Sequence, residues 1–393
     1  MKRPVIFQNC KLVFADFFAE GSLRVEDGHI AAVSIGENLL SRGAKVIDCK
    51  GDYLGPGFVD IHNHGALGVD FINGEVKGLA KALQYHQKQG VTSVLATLIT
   101  NPPEQISKAI TQLVQAEKKK RLPKNFAGIH IEGPFLNPAK KGMHCVDWMH
   151  DPKPAEYQKW VRVGEGRVRL LTAAPERKGA LEMYAWLRSQ GVIGAIGHTI
   201  LSWQEAQMAL AAGATHFVHV NNAMEWPTRI RNKDGWMQTE GRGIGSCLSS
   251  DHFTGEIIAD GHHVSSELIR VILRAKGIDR VALVSDASPF TGLKHGRYTV
   301  ATVPIKVYPN KLCLLADGSA LASSVCTLLD MVRNLVGWGY GLLEAWRMAS
   351  STPAHLIGLK GRGTIRIGNI ADLIRLNQEL KLQGVWQSGE KVK

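Results

Sequence analysis

Gly128-Ile129-His130-Ile131-Glu132-Gly133-Pro134-Phe135-Leu136-Asn137-Pro138-Ala139-Lys140-Lys141-Gly142-Met143-His144 is the stretch from which the rest of the chain is read. An apolar run from Phe126 to Ile131 ends on a carboxylate, Glu132, and Gly133-Pro134 halts the strand at once. A glutamate at the end of a buried strand is costly without a cation or a hydrogen-bond partner. An arginine or a backbone amide would satisfy it. So would a metal ion, with histidines elsewhere supplying the remaining ligands.

Working outward, apolar runs of the same type recur at 58–62, 91–99, 127–132, 168–174, 192–198, 214–220, 256–260 and 281–286. Helical patterns lie between them at 74–89, 103–120, 178–190, 202–212 and 265–276. This alternation predicts an α/β fold, a (β/α)8 TIM-like barrel over residues 56–355. A doubly wound sheet is the rival, but no GxGxxG follows the first strand. Residues 1–55 read as short strands (Val5–Phe7, Leu12–Phe14, Ser22–Val25, Ile30–Val33 and Lys45–Asp48), with Glu26-Asp27-Gly28 as a hairpin turn. Tyr298–Leu315 reads as an inserted β segment, and helices are expected at Val325–Val336 and Leu342–Ser350. The tail returns to β texture from Gly363. Residues 1–55 and 356–393 are therefore expected to build one small β-sandwich domain from both ends of the chain.

The chain of 393 residues carries a formal charge of +12, dispersed except at Lys118-Lys119-Lys120-Arg121, which suits a helix C-terminus. Charge alone argues for anionic ligands, not for nucleic acid, and none is expected as a partner. No apolar stretch reaches membrane-spanning length, and the N-terminal run is broken by Gln8, Asn9 and Lys11. A cytoplasmic protein with no membrane association is expected. Six scattered cysteines with no CxxC pair predict reduced thiols.

Strand ends at the C-terminal face of a barrel carry its chemistry. Here they are His62 and His64, two residues apart on one side of a strand, then Glu132, His198, His219 and Asp286. Imidazole and carboxylate suit zinc or iron, with one position left open for water. His130 is in phase with Glu132 but could equally be a hydrogen-bonded barrel residue. His262 and His263 face substrate or cap a loop, and His216 and His252 have no partner motif.

With these motifs in hand, the chain resembles N-acetylglucosamine-6-phosphate deacetylases of the amidohydrolase superfamily over almost its whole length. Gly55-Pro56-Gly57-Phe58-Val59-Asp60, His62-Asn63-His64-Gly65, His130-Ile131-Glu132-Gly133-Pro134 and Lys140-Lys141-Gly142-Met143-His144 carry the likeness. Gly197-His198, His219 with Asn222-Ala223-Met224, Ile257–Gly261 and Ser285-Asp286-Ala287 follow in the same order. The resemblance implies that Glu132, His198 and His219 hold a principal ion, with His62 and His64 available for a second. It implies Asp286 as catalytic acid/base and His144 as the hydrogen-bond donor to the acetyl carbonyl. Asn222, Ala223 and His263 would contact the sugar phosphate, and the enzyme would be a homodimer. Where the family has a short segment with a phosphate-binding arginine, this chain has Glu225–Trp236, in which Arg229 or Arg231 would take that part. Asn221 also stands where an aromatic is common.

The activity so implied is hydrolysis of N-acetylglucosamine 6-phosphate to glucosamine 6-phosphate and acetate. Alternatives are deacetylation of another N-acetyl hexosamine, phosphorylated or not, or of an N-acyl amino acid, and a non-catalytic sugar-binding protein. Cyclic-amide hydrolases of the superfamily use a lysine at strand four, which here reads Leu170-Leu171-Thr172-Ala173-Ala174.

Overall fold

A computed structural model describes residues 3–41, 43–231, 234–300 and 302–393. Eight parallel strands run in sequential order: β1 (Phe58–Asn63), β2 (Val91–Ile99), β3 (Phe126–Glu132), β4 (Val168–Ala173), β5 (Ile193–Ile196), β6 (Ala214–Phe217), β7 (Thr254–Ile257) and β8 (Val281–Leu283). A parallel bridge from Asn63 to Ala287 closes the ring between its first and last strands. The Asp286 N–H donates to the His62 carbonyl at 3.0 Å, and the His64 N–H to the Ala287 carbonyl at 2.8 Å.

Helices α1 (Val76–Lys88), α2 (Pro103–Lys118), α3 (Pro154–Val163), α4 (Ala180–Ser189), α5 (Trp203–Ala212), α6 (Arg242–Ser249), α7 (Ser266–Lys276) and α8 (Leu328–Gly337) follow the strands in turn. Local chemistry sets their ends. Proline opens α2, and its buried Ile106, Ile110, Leu113 and Val114 recur at helical spacing. The basic run expected at its end is exposed. A Ser202–Glu205 capping box starts α5, and a Thr327–Asp330 box starts α8. Helix α9 (Leu342–Ala349) lays the buried Trp346 against Phe58, its indole N–H donating to the Pro56 carbonyl at 2.9 Å.

The second sheet joins both ends of the chain. Strands at 5–13, 18–26, 29–35, 45–48 and 53–56 are continued by Leu373–Leu376, which pairs antiparallel with Tyr53–Pro56, and by strands at 382–387 and 390–391. Phe7, Leu12, Leu23, Ile30, Leu54 and Trp386 belong to its separate core. Two details depart from expectation. Val5–Phe7 and Leu12–Val13 are parts of one strand, Val5–Val13, interrupted by a bulge where Asn9 takes φ 53°, and Phe14 lies just beyond its end. Residues 363–368 form turns instead of continuing the β texture. At Glu26-Asp27-Gly28 the turn is as read, with Asp27 and Gly28 at φ 44° and 83°. The inserted segment is a three-stranded antiparallel sheet at 296–300, 303–307 and 313–315. No helix among the described residues is long and apolar enough to cross a membrane, and all six cysteines are free.

Candidate metal centre and substrate cavity

Glu132, only 2% exposed at the end of β3, is the hub. Around its two carboxylate oxygens lie the Nε2 atoms of His219 at 3.0 Å, His198 at 3.3 Å, and His62, His64 and His144 each at 3.4 Å. Asp286 adds a second carboxylate, its Oδ1 lying 3.2 Å from His64 Nε2 and 3.7 Å from His62 Nε2. From β4 onward the hydrogen-bonded strands are shorter than the apolar runs predicted. His198, His219 and Asp286 therefore fall two residues or more beyond β5, β6 and β8, with φ of 49°, 28° and 43°. Non-glycine residues avoid this region unless the surroundings over-determine them, and such strain collects at functional sites. The turn out of the strand is what aims each side chain across the barrel mouth.

Two glycines of the opening motif make room for this arrangement. At Gly133 (φ 81°) a Cβ would lie 2.2 Å from Thr100 Oγ1, and that hydroxyl holds His144 Nδ1 at 2.7 Å. At Gly142 (φ 53°) a Cβ would come 3.2 Å from the His198 ring.

The electrostatics call for positive charge. Burial pushes the Glu132 carboxyl up, yet the imidazoles, His62 first, hold it well below the usual carboxylate range. Burial likewise works against charge on His62 and His64. The neighbouring carboxylates override it, lifting His62 well above its ordinary value and His64 to about 9. His144 goes the other way, to about 4, through burial and the nearby His198. A cluster that recruits protons onto buried imidazoles will accept a divalent cation in their place.

The donor set fits such an ion. His62, His64 and Glu132 form one group of converging ligand atoms, and Glu132, His144 and His198 form another, each within 4.8 Å. His62 Nε2 is buried with no hydrogen-bond partner among the described residues. Outer contacts set the tautomers. His198 Nδ1–H donates to the Lys140 carbonyl at 2.7 Å, and His62 Nδ1–H to Glu256 Oε2 at 2.8 Å, so each Nε2 lone pair points inward. The carbonyl of Ala223 accepts from Thr199 N–H, which ties the segments after His198 and His219 together.

A cavity of about 410 Å³ opens over this cluster. His64, Glu132, His144, His198, His219 and Asp286 reach it, whereas His62 is wholly buried beneath. Asn221, Asn222, Ala223 and His263 line its wall. His263 is held by Asp260, Nδ1 to Oδ2 at 2.8 Å, while His262 turns outward to the Asn310 carbonyl. Arg229 is not brought in. It lies exposed on a two-stranded hairpin, Thr228–Arg231 with Met237–Glu240, that is not part of the cavity lining. Arg231 on the same strand donates to the Gly235 carbonyl, and Asn232 and Lys233 of this segment lie outside the described residues.

Sequence reasoning missed Glu256 and left His216 without a role. Glu256, fully buried on β7, accepts from His62, from His216 Nε2 at 3.1 Å and from the His219 N–H at 3.2 Å. The signal was a carboxylate inside an apolar strand, the same one that singled out Glu132. His130 is the barrel residue that its alternative reading allowed, held between Thr172 at 2.8 Å and Thr97 at 3.3 Å.

Residues 53–392 match the model of the amidohydrolase family. The chain is 31% identical over 411 residues to the N-acetylglucosamine-6-phosphate deacetylase of Bos taurus, covering 100% of this chain and 96% of that one. It belongs to the N-acetylglucosamine-6-phosphate deacetylase family of amidohydrolases. Another deacetylase relative, the N-acetylgalactosamine-6-phosphate deacetylase of Escherichia coli O157:H7, is 30% identical over 94% of this chain and 93% of its own. Among solved deacetylase structures, a mutant from Mycobacterium smegmatis in complex with N-acetyl-D-glucosamine-6-phosphate superposes with a TM-score of 0.89. Its identity is 29%, and all of both chains is covered.

Proposed function

We propose that this amidohydrolase removes the acetyl group from N-acetylglucosamine 6-phosphate, releasing glucosamine 6-phosphate and acetate. The observation that carries this reading is Asp286. It lines the cavity, its carboxylate 3.2 Å from His64 Nε2 and beside the imidazole–Glu132 cluster. Burial would raise its pKa, but the hydrogen bond from His64 and the other imidazoles lower it, so it stands ready as a base. Glu132, His198 and His219, with His62 and His64 beside them, are the residues that would hold one or two divalent ions, zinc or iron. Such an ion supplies Lewis-acid chemistry, making water acidic enough to attack near neutral pH and polarising the acetyl carbonyl.

Asp286 takes the proton of the attacking water as oxygen bonds to the acetyl carbon. It returns that proton to the nitrogen as the C–N bond breaks. Ser323 Oγ donates to the Asp286 backbone carbonyl and lies 3.1 Å from Oδ1, which places the hydroxyl beside the carboxylate. His144, steadied by Thr100, donates from Nε2 to the acetyl oxygen as negative charge collects there. Asn222, Ala223 and His263 line the wall that would face the sugar phosphate. We place the enzyme in the cytoplasm and expect a homodimer.

The similarity to an N-acetylgalactosamine-6-phosphate deacetylase favours one second reading, the C4 epimer as substrate. Acetate release from both phosphorylated epimers, from unphosphorylated N-acetylglucosamine and from an N-acyl amino acid tests the proposal. The expected order puts N-acetylglucosamine 6-phosphate first. Preference for an unphosphorylated substrate would overturn it.

A further inference from the structure

Resting on the reaction just proposed, we infer that Lys140 is the cation this chain offers to the anionic end of its substrate. We infer too that Glu225 sets how strongly it is offered, by competing for it. Among the described residues, three that are cationic or ionisable line the cavity outside the metal cluster and its contacts: Lys140, Lys141 and His263. His263 is engaged by Asp260. Lys141 is exposed, and its Nζ lies 3.4 Å from the Gly142 carbonyl. Lys140 Nζ is 2.8 Å from Glu225 Oε2, with side chains 22% and 34% exposed, so the pair is partly shielded from water.

Both partners have fixed backbones. The Lys140 carbonyl accepts from His198 Nδ1–H, and Glu225 N–H donates to the Thr199 carbonyl at 3.0 Å. The Lys140 side chain is therefore free to change partner while its anchor, at the edge of the metal cluster, stays in place. A phosphate group carries more negative charge than a carboxylate and presents more acceptor oxygens. Arriving in the cavity it takes Lys140, and Glu225 turns to solvent. Glu225 stands at the start of the segment that differs from the usual family pattern, and its effect is to weaken phosphate recognition. With Arg229 outside the cavity, it is Lys140 that this competition governs.

The test is a double-mutant cycle on the metal-loaded enzyme: wild type, Glu225→Gln, Lys140→Gln and the double variant, with Lys140→Arg as the conservative rescue. KM and kcat for N-acetylglucosamine 6-phosphate are measured at low and high salt. Removing Glu225 is expected to lower KM roughly two- to fivefold at low salt, the scale of a partly exposed ion pair, and by less at high salt. Lys140→Gln is expected to raise KM about tenfold, with Lys140→Arg close to wild type. In the Lys140→Gln background the gain from Glu225→Gln should vanish. The same fall in KM with or without Lys140, no fall at all, or an unchanged KM in Lys140→Gln would each overturn the inference. Turnover by the wild type without these responses overturns the ion-pair inference alone. Absence of wild-type turnover on any phosphorylated N-acetyl hexosamine overturns the proposed reaction itself.

Discussion

Glu256→Gln tests the architecture beneath the metal cluster without altering any residue proposed to bind an ion. The carboxylate is fully buried and receives three hydrogen bonds: from His62 at 2.8 Å, from His216 at 3.1 Å and from the His219 N–H at 3.2 Å. Burial pushes its pKa up, and the histidines, His62 first, hold it well below the usual range, so it works as an anion. A glutamine keeps the shape but offers one acceptor oxygen, and its NH2 must face a ring N–H. Either His62 loses its tautomer or His216 loses its partner. A charge-assisted hydrogen bond contributes about 1.5–3 kcal/mol, and disturbing the outer partner of a ligating histidine costs roughly 10- to 100-fold in metal affinity. Competition against a chelator of known affinity, monitored by metal content per chain, reads this directly. His216→Gln, which leaves the His62–Glu256 bond in place, should cost less. If Glu256→Gln binds zinc or iron within twofold of wild type, the claim that Glu256 orients His62 and His219 is wrong.

Asp286→Asn should retain metal and lose roughly 100- to 10,000-fold in kcat, the range for a general acid–base group; turnover near the wild-type rate would remove Asp286 from the mechanism. Exhaustive chelation should lower the melting temperature by several degrees. Ligand at about 1,000 times its Kd stabilises by about 4 kcal/mol, and stepwise reloading followed by calorimetry will show whether one or two ions bind. Asp330 supplies a pH test away from the site. Burial raises its pKa, but Lys311 at 2.8 Å and the Thr327 N–H at 2.9 Å bring it below the model-peptide value. Its stabilisation is thus full above the unfolded pKa near 4 and is lost as pH falls through the lower folded value. Asp330→Asn should cost about 1 kcal/mol in chemical denaturation at pH 7, on the scale of a helix cap, and nothing once both forms are protonated. An equal cost at pH 7 and in strong acid would refute the linkage.

The converging histidines and carboxylates and the eightfold repeat were legible because each is a local pattern. An apolar run that stops on a histidine or carboxylate reports a strand end, and parallel strands place all such ends on one face. The glycine of the HxEGP motif likewise marks a position with no room for a side chain, as the Thr100 contact at Gly133 illustrates. What sequence could not decide were the partnerships that span the barrel. His62 and Glu256 are 194 residues apart, so nothing local connects a histidine on the first strand to a carboxylate on the seventh. Nor could it tell that neither Arg229 nor Arg231, its two candidates after Met224, lines the cavity; both lie exposed on the hairpin. Lys140 and Glu225, from different loops, meet at 2.8 Å. Residue type and spacing determined which chemistry this chain can hold. The direction in which each loop leaves its strand, set by packing and by left-handed turns at His198, His219 and Asp286, determined which side chains meet.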